Sequence, residues 1–302
     1  MKAVVVGFGS IGMRHVRLLH GLGLDIAVVS RRQVEAKTVY PTIAAAVADF
    51  APDYAVVASR THEHWGDLAA LANAGFTSTV LVEKPLFDRM HGLPDHAFKH
   101  VFVAYQLRFH PVIRRLKALL DEATPHAVHA YVGHNLAAWC PRDYKKNFRA
   151  RKTEGGGALR DLSHELDYLN WMLGGWTRLT ALGGHVSDLE IDSDDAFSLL
   201  FETRCCPVVT LNMNYLDSTL QRRVLALTDK GSILADLVAG TVAFGGKTET
   251  FTVTRDDPFI AQHQAALAGE AGTLCTVDEG LAVVGTIATA ERAAARREWA
   301  AA

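Results

Sequence analysis

The sequence predicts an α/β protein of two domains, the first built on a parallel sheet and the second on an open, mainly antiparallel sheet. Three observations lead to this prediction. A chain of 302 residues is too long for one ordinary hydrophobic core. Its first third alternates apolar strands with helical segments, whereas strands follow one another directly in much of the remainder. The change of pattern predicts domains at 1–122 and 123–302.

Strands and helices alternate in the first predicted domain. Short apolar runs predict buried strands at Ala3–Val6, Asp25–Val29, Tyr54–Ala58, Thr79–Val82 and Val101–Ala104. Helical spacing of apolar residues predicts helices at Ile11–His20, Ile43–Asp49, Trp65–Ala74 and Pro111–Asp121. Strands without a polar face, separated by helices, indicate a parallel sheet that is covered on both faces.

The second predicted domain is richer in strands. The strand Ala127–Val132 precedes a basic connection at Tyr144–Glu154 and one long helix at Ala158–Leu173. Further strands are predicted at Thr180–His185, Ala196–Glu202, Val208–Tyr215, Val224–Thr228, Ser232–Asp236 and Thr241–Phe244. Turn residues and no helices separate these strands, which indicates antiparallel pairing. A final helix at 278–298 is expected to pack back on the first domain.

Composition and charge exclude several classes of function. A formal net charge of −2 provides no global positive field for nucleic acid. No apolar run approaches the roughly 18–20 residues of a membrane span, and the short N-terminal run is typical of a buried strand. Four cysteines without a C-x-x-C pair indicate reduced thiols in a cytoplasmic protein. The histidines are scattered without metal-ligand spacing, so no metal site is predicted.

A glycine-rich segment, Gly7-Phe8-Gly9-Ser10-Ile11-Gly12, follows the first predicted strand and opens the first predicted helix. In this pattern Gly7 permits a tight turn, Gly9 lets the backbone approach a pyrophosphate, and Gly12 lets helix and strand pack closely. Ser10 and Ile11 begin the helix, whose free N–H groups attract phosphate. The pattern in this context predicts a Rossmann domain that binds a dinucleotide. A glycine-rich turn without a ligand is the alternative.

The end of the second predicted strand distinguishes NAD from NADP. An NAD site usually has a carboxylate there, hydrogen-bonded to the ribose 2′-hydroxyl. This chain has Ser30, Arg31 and Arg32 instead. Hydroxyl and guanidinium donors suit a 2′-phosphate, so NADP is predicted as the preferred cofactor and NAD as the second choice. Two solvated surface arginines are the alternative interpretation.

A second motif, Glu83-Lys84-Pro85, follows the fourth predicted strand. Ligands of a doubly wound sheet bind at the carboxyl ends of its strands, so Lys84 is predicted to lie at the mouth of the cofactor site. There, partial desolvation and the positive nicotinamide ring favour proton exchange between Lys84 and a hydroxyl. Pro85 is a candidate for a cis peptide bond. A lone lysine at a strand end is otherwise more often a surface residue.

Polar residues also cluster on the predicted helix Ala158–Leu173. Asp161 and His164 are three positions apart, which places them on one face of a continuous helix. A histidine beside a carboxylate can act as a general acid or base that the carboxylate orients. A histidine that only packs in the core is the alternative.

Together these motifs resemble the Gfo/Idh/MocA family of glucose-fructose oxidoreductase, inositol dehydrogenase and rhizopine catabolism proteins. The matching segments are Gly7–Gly12, Asp53–Gly75, Glu83–Pro85, Tyr105–Pro111 and Gly155–Asp167, with thinner similarity at Asn214-Tyr215 and Thr276–Leu281. The resemblance implies hydride transfer between a nicotinamide cofactor and a sugar or polyol carbon. It also implies that Lys84 and His164 form an acid/base pair and that Asp161 orients His164. Many family members separate that Asp and His by four positions rather than three, so the hydrogen bonding of Asp161 stays open.

Further binding residues follow from the same resemblance. Cofactor contacts are expected from Ser59, Thr61, His64, Glu83 and Lys84. Substrate contacts are expected from Tyr105, Arg108, Trp139, Tyr144, Asp161 and His164. The segment 162–168, preceded by Arg142-Asp143-Tyr144, resembles a branch found with surface-polysaccharide and nonulosonic-acid sugar pathways. Nearby basic residues could meet a nucleotide diphosphate, although a solvated loop is the alternative; they are Lys145, Lys146, Arg149 and Arg151.

The sequence therefore predicts an NAD(P)-dependent oxidoreductase that acts on a CH–OH group of a sugar, sugar derivative or polyol. Two alternatives stay open because a fold does not fix a function. One is a regulatory protein that senses NADP(H) without turnover. The other is an NAD-dependent glycosidase or an imine-type reductase on the same fold. The family commonly associates through its open sheet, so a homodimer or homotetramer is expected.

Overall fold

A computed structural model describes residues 1–140 and 143–302. The chain forms two compact units, of which the first comprises residues 1–106 and 255–281 and the second comprises residues 107–254 and 282–302. This division departs from the predicted boundary at residue 122 in two respects. The helix Pro111–Asp121 lies in the second unit, and a segment near the C-terminus returns to the first. Both departures result from contacts between segments that are distant in sequence. The spacing of apolar residues gives no information about such contacts.

All of the predicted strands are present, and the structure adds several short ones. In chain order the strands are β1 (Lys2–Val6), β2 (Asp25–Val29), β3 (Val39–Tyr40), β4 (Tyr54–Val57), β5 (Thr79–Val82), β6 (His100–Val103), β7 (Pro125–Gly133), β8 (Trp176–Gly184), β9 (Ala196–Thr203), β10 (Val209–Asn214), β11 (Gln221–Thr228), β12 (Gly231–Asp236), β13 (Thr241–Phe244), β14 (Lys247–Thr250), β15 (Cys275–Thr276) and β16 (Ala300–Ala301).

The helices agree less closely with the prediction. They are α1 (Ser10–Gly21), α2 (Ile43–Ala45), α3 (His64–Asn73), α4 (Pro111–Asp121), α5 (Leu136–Trp139), α6 (Ala158–Asp161), α7 (His164–Leu173), α8 (Asp257–Ala268) and α9 (Val277–Arg296). α2 continues as one π-helical turn, Ala46–Phe50. Periodicity does not predict α8, because the polar residues Gln262 and His263 lie on its buried face. None of the helices in the described ranges has the length and apolar character needed to cross a membrane.

The first unit is built on one sheet in the order β15-β6-β5-β4-β1-β2-β3. Its strands run parallel except β15, which is antiparallel to β6. The predicted parallel sheet is therefore confirmed. The central strands are fully buried, with residues such as Val4, Val56 and Leu81 inaccessible to solvent. Each such side chain contributes about 1.5–3 kcal/mol by burial. α8 packs against α1 and β5, which ties the returning C-terminal segment to this core.

The second unit is built on a sheet in the order β14-β13-β12-β11-β7-β10-β9-β8-β16. Its pairings are antiparallel except the parallel pair β7 and β10. This confirms the prediction of a mainly antiparallel sheet. α4 packs against β12 and β13, and α6 packs against β9 and β10. Alternate residues along β8, β9, β11 and β12 are exposed, among them Leu182, Leu200, Leu227 and Leu234.

The helix predicted at Ala158–Leu173 is interrupted, which corrects the prediction of one continuous helix. α6 ends at Asp161 and α7 begins at His164. Between them, the N–H of Ser163 bonds to the carbonyl of Arg160, three residues back, at 3.3 Å, and Leu162 has φ −92° and ψ 19°. The hydrogen bond to the third residue back, rather than the fourth, tightens this turn and separates the two helices.

His110 connects the start of α4 to the acid stability of the second unit. Its Nδ1 accepts a hydrogen bond from the N–H of Val112 at 3.3 Å, which caps the helix. Burial, reinforced by the positive charge of Arg222, lowers the pKa of His110 from 6.5 to about 4. The unfolded chain therefore takes up the proton first as the pH falls. Stability that is present above pH ~6.5 is lost progressively as the pH falls toward ~4.

Replacing His110 with Asn should remove part of this acid sensitivity, because Asn caps helices well and does not titrate. Between pH 7.5 and 5.0 the wild type should lose about 2 kcal/mol more unfolding free energy than H110N. Urea unfolding curves at the two pH values measure the difference. The exposed His126, replaced by Asn, is the matched control. Equal losses in H110N and the wild type would contradict the account.

Candidate active site

The parallel strands of the first unit end side by side at one edge of the sheet. The register pairs Val6 with Val29 and Val57, Val57 with Val82, and Val82 with Val103. Because neighbouring strands lie about 4.8 Å apart, the residues that follow them form a row. From β6 to β2 this row, which we term the carboxyl edge, contains Tyr105, Lys84, Ser59, Gly7 and Ser30. The predicted cofactor segments thus lie side by side along one edge of the sheet.

The glycine loop on this edge has the shape that a pyrophosphate requires. Gly7 has φ +95°, and a Cβ there would lie 2.7 Å from the carbonyl oxygen of Ala58. A Cβ on Gly12 would lie 2.2 Å from the carbonyl oxygen of Gly7. A Cβ on Gly9, by contrast, would meet no atom of the described chain within 4 Å. The loop is therefore packed against protein at both ends and open at Gly9, where a phosphate can approach the backbone.

The start of α1 provides the donors for such a phosphate. Gly9 is the N-cap and has no side chain to bond the first N–H groups, and the first turn contains no acidic residue. The backbone N–H groups of Ser10, Ile11 and Gly12 and the positive end of the helix dipole therefore suit an anion. These residues fit a nicotinamide dinucleotide, whose pyrophosphate they would hold.

A compact turn follows β2 at the next position of the edge. Ser30 Oγ accepts a hydrogen bond from the N–H of Arg32 at 3.1 Å and donates to its carbonyl oxygen at 3.0 Å. Arg31 is 87% exposed, with Nη1 3.9 Å from Glu63 Oε1. Ser30 thus shapes the turn, and Arg31 and Arg32 are its exposed cationic side chains.

The loop after β4 and the first residue of α3 provide three of the predicted cofactor residues. Ser59 Oγ donates a hydrogen bond to Asp67 Oδ2 at 2.5 Å, and Thr61 begins a short 3₁₀ helix. His64 is fully buried, with Nδ1 3.0 Å from the carbonyl oxygen of Leu86 and Nε2 3.3 Å from that of Ser59. Burial lowers the pKa of His64, although these carbonyls oppose the shift. His64 therefore joins two backbone segments of the site.

Lys84 follows β5 directly after a buried carboxylate. Glu83 Oε2 accepts a hydrogen bond from the backbone N–H of Lys84 at 3.1 Å, and Glu83 Oε1 lies 2.9 Å from His15 Nε2. The Lys84 side chain is half-buried. The Lys84–Pro85 peptide bond is cis, which confirms the expectation for Pro85. The Glu83 carboxylate thus holds the backbone of Lys84 in place.

In the second unit, Asp161 is the centre of a charged and aromatic cluster. Asp161 Oδ2 accepts hydrogen bonds from Arg149 Nε at 2.5 Å and from the Tyr215 hydroxyl at 3.2 Å. The Arg149 guanidinium lies 4.4 Å from the centre of the Trp139 ring, and Trp139 meets Tyr215 edge-on. Burial raises the pKa of Tyr215, and the Asp161 carboxylate raises it further. We term these four residues the Asp161 cluster.

His164 begins α7 and is buried, with 6% of its surface exposed. The turn at Leu162 and Ser163 lies between it and Asp161, so the two do not share one face of a continuous helix. That part of the prediction is wrong. The acid/base role of His164 and its orientation by Asp161 stay predictions.

Arg108, expected to bind substrate, lies in the core of the second unit. Its guanidinium makes a two-pronged contact with Asp167, with Nη2 2.6 Å from Oδ1 and Nε 2.9 Å from Oδ2. It also lies over the ring of Trp171, and Arg108 is only 1% exposed. A guanidinium engaged in this way connects α7 to the segment before α4, and its contact with substrate stays a prediction. The burial of Arg108 is not visible in the sequence.

The other predicted substrate residues differ in exposure. Tyr105 is almost completely buried. Tyr144 is half-buried in a short 3₁₀ helix, where its hydroxyl accepts a hydrogen bond from the N–H of Glu190 at 3.4 Å. Lys145 pairs with the carboxylate of Glu190 on the surface, as expected of a solvated loop. Arg142 lies outside the described residues.

Two domain families match the chain. Residues 1–102 match the oxidoreductase family with an NAD-binding Rossmann fold, and residues 113–234 match the GFO/IDH/MocA C-terminal domain. Together the two matches cover well over half of the chain. The chain belongs to the Gfo/Idh/MocA oxidoreductase family. The resemblance inferred from its motifs is thereby confirmed.

Solved structures of this fold cover the whole chain. GenD2 from gentamicin A biosynthesis, in complex with NAD, is 24% identical over 100% of this chain and 96% of its own, with a TM-score of 0.79. The WlbA dehydrogenase from Bordetella pertussis, in complex with NADH and UDP-GlcNAcA, is 16% identical over 100% and 97%, with a TM-score of 0.81. Levoglucosan dehydrogenase with NADH and L-sorbose is 15% identical over 100% and 98%, with a TM-score of 0.84. These likenesses establish the fold. No curated protein matches the sequence.

Sequence reasoning missed several residues that the structure brings to these places. Arg149 lies in the basic loop of the sequence, yet it is the partner of Asp161. Tyr215 lies in a segment that matches the family, and the sequence predicts no role for it. The sequence also predicts no role for His15 and His263, although both lie in the buried surroundings of Glu83. His15 follows the glycine loop and lies on the buried face of α1. This position is the one feature of the local sequence that could have indicated a role for His15.

Single alanine substitutions should separate the two roles of the glycines. Gly9→Ala should fold like the wild type but weaken NADPH binding about tenfold or more, because its Cβ occupies space that the phosphate needs. Gly12→Ala, the matched control, should lower Tm, because its Cβ meets the Gly7 carbonyl. Thermal unfolding and NADPH fluorescence titration measure both effects. Wild-type NADPH affinity in Gly9→Ala would show that phosphate does not lie there.

Proposed function

We propose that the protein is an NADP(H)-preferring dehydrogenase or reductase that acts on one CH–OH carbon of a sugar, sugar derivative or polyol. The carboxyl edge is the observation on which the proposal rests. It aligns Lys84 with the open glycine loop on one sheet, two strands away, or about 10 Å. A bound dinucleotide that extends along this edge from the Ser30 turn would present its reactive end to Lys84.

The protein's own side chains transfer the proton and hold the reacting groups in place. When bound, the nicotinamide cofactor supplies the acceptance or donation of the hydride. Lys84 Nζ takes the proton of the substrate hydroxyl in oxidation and returns it in reduction, and we also assign an acid/base role to His164. Glu83 fixes the backbone of Lys84. Partial burial of Lys84 limits water at the reacting carbon.

A sugar-type substrate is supported by the chemistry of the Asp161 cluster. The Trp139 ring suits the C–H face of a sugar, and Asp161 and Arg149 provide polar atoms for its hydroxyl groups. We propose a sugar from surface-polysaccharide or amino-sugar metabolism. The complexes of WlbA with UDP-GlcNAcA and of levoglucosan dehydrogenase with L-sorbose support this class.

Replacing Lys84 with Met should lower turnover about 10²–10⁴-fold while NADPH affinity stays within about twofold. The assay follows cofactor absorbance with UDP-GlcNAcA, levoglucosan and myo-inositol as substrates. Lys99→Met, an exposed lysine of the same unit, is the matched control.

An unchanged kcat in K84M would overturn the role of Lys84. Net hydrolysis of a glycoside without a change in cofactor absorbance would favour a glycosidase. Tight NADPH binding by the wild type without turnover of any sugar would favour a regulatory protein.

The cofactor preference depends on the turn after β2. The wild type should have a higher kcat/KM with NADPH than with NADH. The double variant Arg31→Ala/Arg32→Ala should lose about tenfold or more of kcat/KM with NADPH, because two guanidinium groups no longer meet the 2′-phosphate. NADH, which lacks that phosphate, is the internal control. A higher kcat/KM with NADH in the wild type would reverse the assignment.

We also propose that the protein forms a homodimer or homotetramer through the open face of the second sheet. Leu182, Leu200 and Leu234 are exposed on this face, where polar residues such as Asn212 accompany them. A face of this kind pairs with itself about a two-fold axis.

Sedimentation velocity should show the wild type as a dimer or larger, and Leu200→Asp together with Leu234→Asp should shift it to a monomer. Leu227→Asp, at the end of β11, is expected to weaken association less. A monomeric wild type at micromolar concentration would refute the assembly.

A further inference from the structure

A buried chain of hydrogen bonds in the first unit ends beside Lys84. Tyr54 Oη lies 3.0 Å from His263 Nδ1, and His263 Nε2 lies 2.8 Å from His15 Nδ1. His15 Nε2 lies 2.9 Å from Glu83 Oε1, and Glu83 Oε2 accepts the backbone N–H of Lys84 at 3.1 Å. We term Tyr54, His263, His15 and Glu83 the Glu83 chain.

The members of the Glu83 chain come from four different elements. Tyr54 begins β4, His263 lies on α8, His15 lies on α1 and Glu83 follows β5. The first three are fully buried, and Glu83 is 7% exposed. The His15 ring also meets the rings of His263 and Phe259 edge-on. The fold thus holds every group of the chain in place from more than one side.

If Glu83 is ionised and both imidazoles are neutral, one arrangement of protons satisfies every atom of the chain. A carboxylate only accepts, so His15 Nε2 must carry a proton and donate it. A neutral His15 then accepts at Nδ1, which requires a proton on His263 Nε2. A neutral His263 accepts at Nδ1, which the Tyr54 hydroxyl satisfies. All three hydrogen bonds therefore point toward Glu83.

The buried groups favour this neutral arrangement. Burial lowers the pKa of His263 well below its usual value. Burial raises the pKa of Tyr54, which therefore keeps its proton. Tyr54 has no exposed surface through which a proton could leave. The chain is therefore a fixed set of dipoles directed at Glu83 and not a path for protons to solvent.

Charged or titratable groups near Glu83 in the described residues include Lys84 and His64, and others on α1 and at the start of α8. Arg14 of α1 is attracted to Glu83 and lies 3.7 Å from Asp256, which also pairs with Arg17 at 2.7 Å. Arg255 adds a further positive charge near Arg14. The positive charge of Arg14 and the dipoles of the chain are therefore both directed at the Glu83 side chain.

We propose that Tyr54, His263 and His15 are positioning residues for Lys84, acting through Glu83. The proposal deepens the proposed function and rests on it for the role of Lys84. The chain holds the Glu83 carboxylate in one orientation, and that carboxylate holds the Lys84 backbone at the carboxyl edge. A misplacement of about 1 Å at a reacting group can lower a rate by about 10²-fold. Through His263, α8 would therefore contribute to the placement of Lys84.

Variants at His263 separate positioning from packing. His263→Gln keeps an N–H donor and an acceptor, whereas His263→Leu removes both. The matched control is Gln262→Met on the same helix, because Gln262 is equally buried and has no hydrogen-bond partner among the described residues. Tyr54→Phe removes a single oxygen atom at the Tyr54 end of the Glu83 chain. This variant tests the proposal if H263L does not fold.

We expect H263L to lower kcat about tenfold or more with NADPH affinity within about twofold, using the best substrate of the panel above. H263Q should stay within about threefold of wild-type kcat, Q262M should equal the wild type, and Y54F should lie between H263Q and H263L. Wild-type kcat in both folded H263L and Y54F would overturn the proposal. A fall in H263Q as large as in H263L would overturn it as well.

Two spectroscopic measurements do not depend on turnover. ¹⁵N-labelled histidine should show His15 and His263 neutral and protonated at Nε2 at pH 7. The backbone amide resonance of Lys84 should move in H263L and stay in H263Q. A charged or Nδ1-protonated imidazole, or an unmoved Lys84 amide in H263L, would overturn the Glu83 chain. If both spectra agree with expectation but the wild type turns over no sugar, the proposed function fails while the chain itself is supported.

Discussion

The parallel register of β1, β4 and β5 is the constraint on which the candidate site depends. Val6, Val57 and Val82 are aligned partners, so the residues that follow them start at the same level of the sheet. The side-chain period of a strand is two, and a slip of one residue in β5 would turn Lys84 to the opposite face. The close packing of these buried strands resists such a slip, because the side chains on both faces would have to repack.

Close packing at the end of β1 gives this edge its shape. Gly7 and Gly12 bring α1 so near to the sheet that a methyl group at either position would overlap backbone atoms. The same closeness buries His15 of α1 beside Glu83. An unpaired buried polar group costs about 1–3 kcal/mol, so His15 needs partners on both ring nitrogens. α8 supplies one of them in His263, which explains why a distant segment of the chain returns to the first unit.

Local sequence patterns predicted the features that depend on neighbours in the chain. The glycine loop, the buried strands and the cis Lys84–Pro85 bond all have signals within a few residues. Pairings between distant residues have none. His15 and His263 are 248 positions apart, and no spacing rule connects them. The sequence also does not predict the break between α6 and α7, because neither Leu162 nor Ser163 is a glycine or a proline that would mark it.

Charge in a motif was the least reliable guide to the site. Arg108 lies in a segment that matches the family, yet its guanidinium is buried against Asp167. Arg149 lies in a run of basic residues typical of a solvated surface, yet it is the partner of Asp161 in the second unit. Whether an arginine binds a ligand or stabilises the fold depends on which carboxylate the fold places next to it. That neighbour is known only from the tertiary structure.

Hydrogen–deuterium exchange with and without NADPH tests whether a dinucleotide lies along the carboxyl edge. We expect slower exchange with NADPH in peptides that contain Gly7–Met13, the turn after Ser30, the loop after Ala58 and the segment around Lys84. NADH should protect the turn after Ser30 less than NADPH does. Protection confined to the second unit, or absent from the Gly7 and Lys84 peptides at saturating NADPH, would contradict the account.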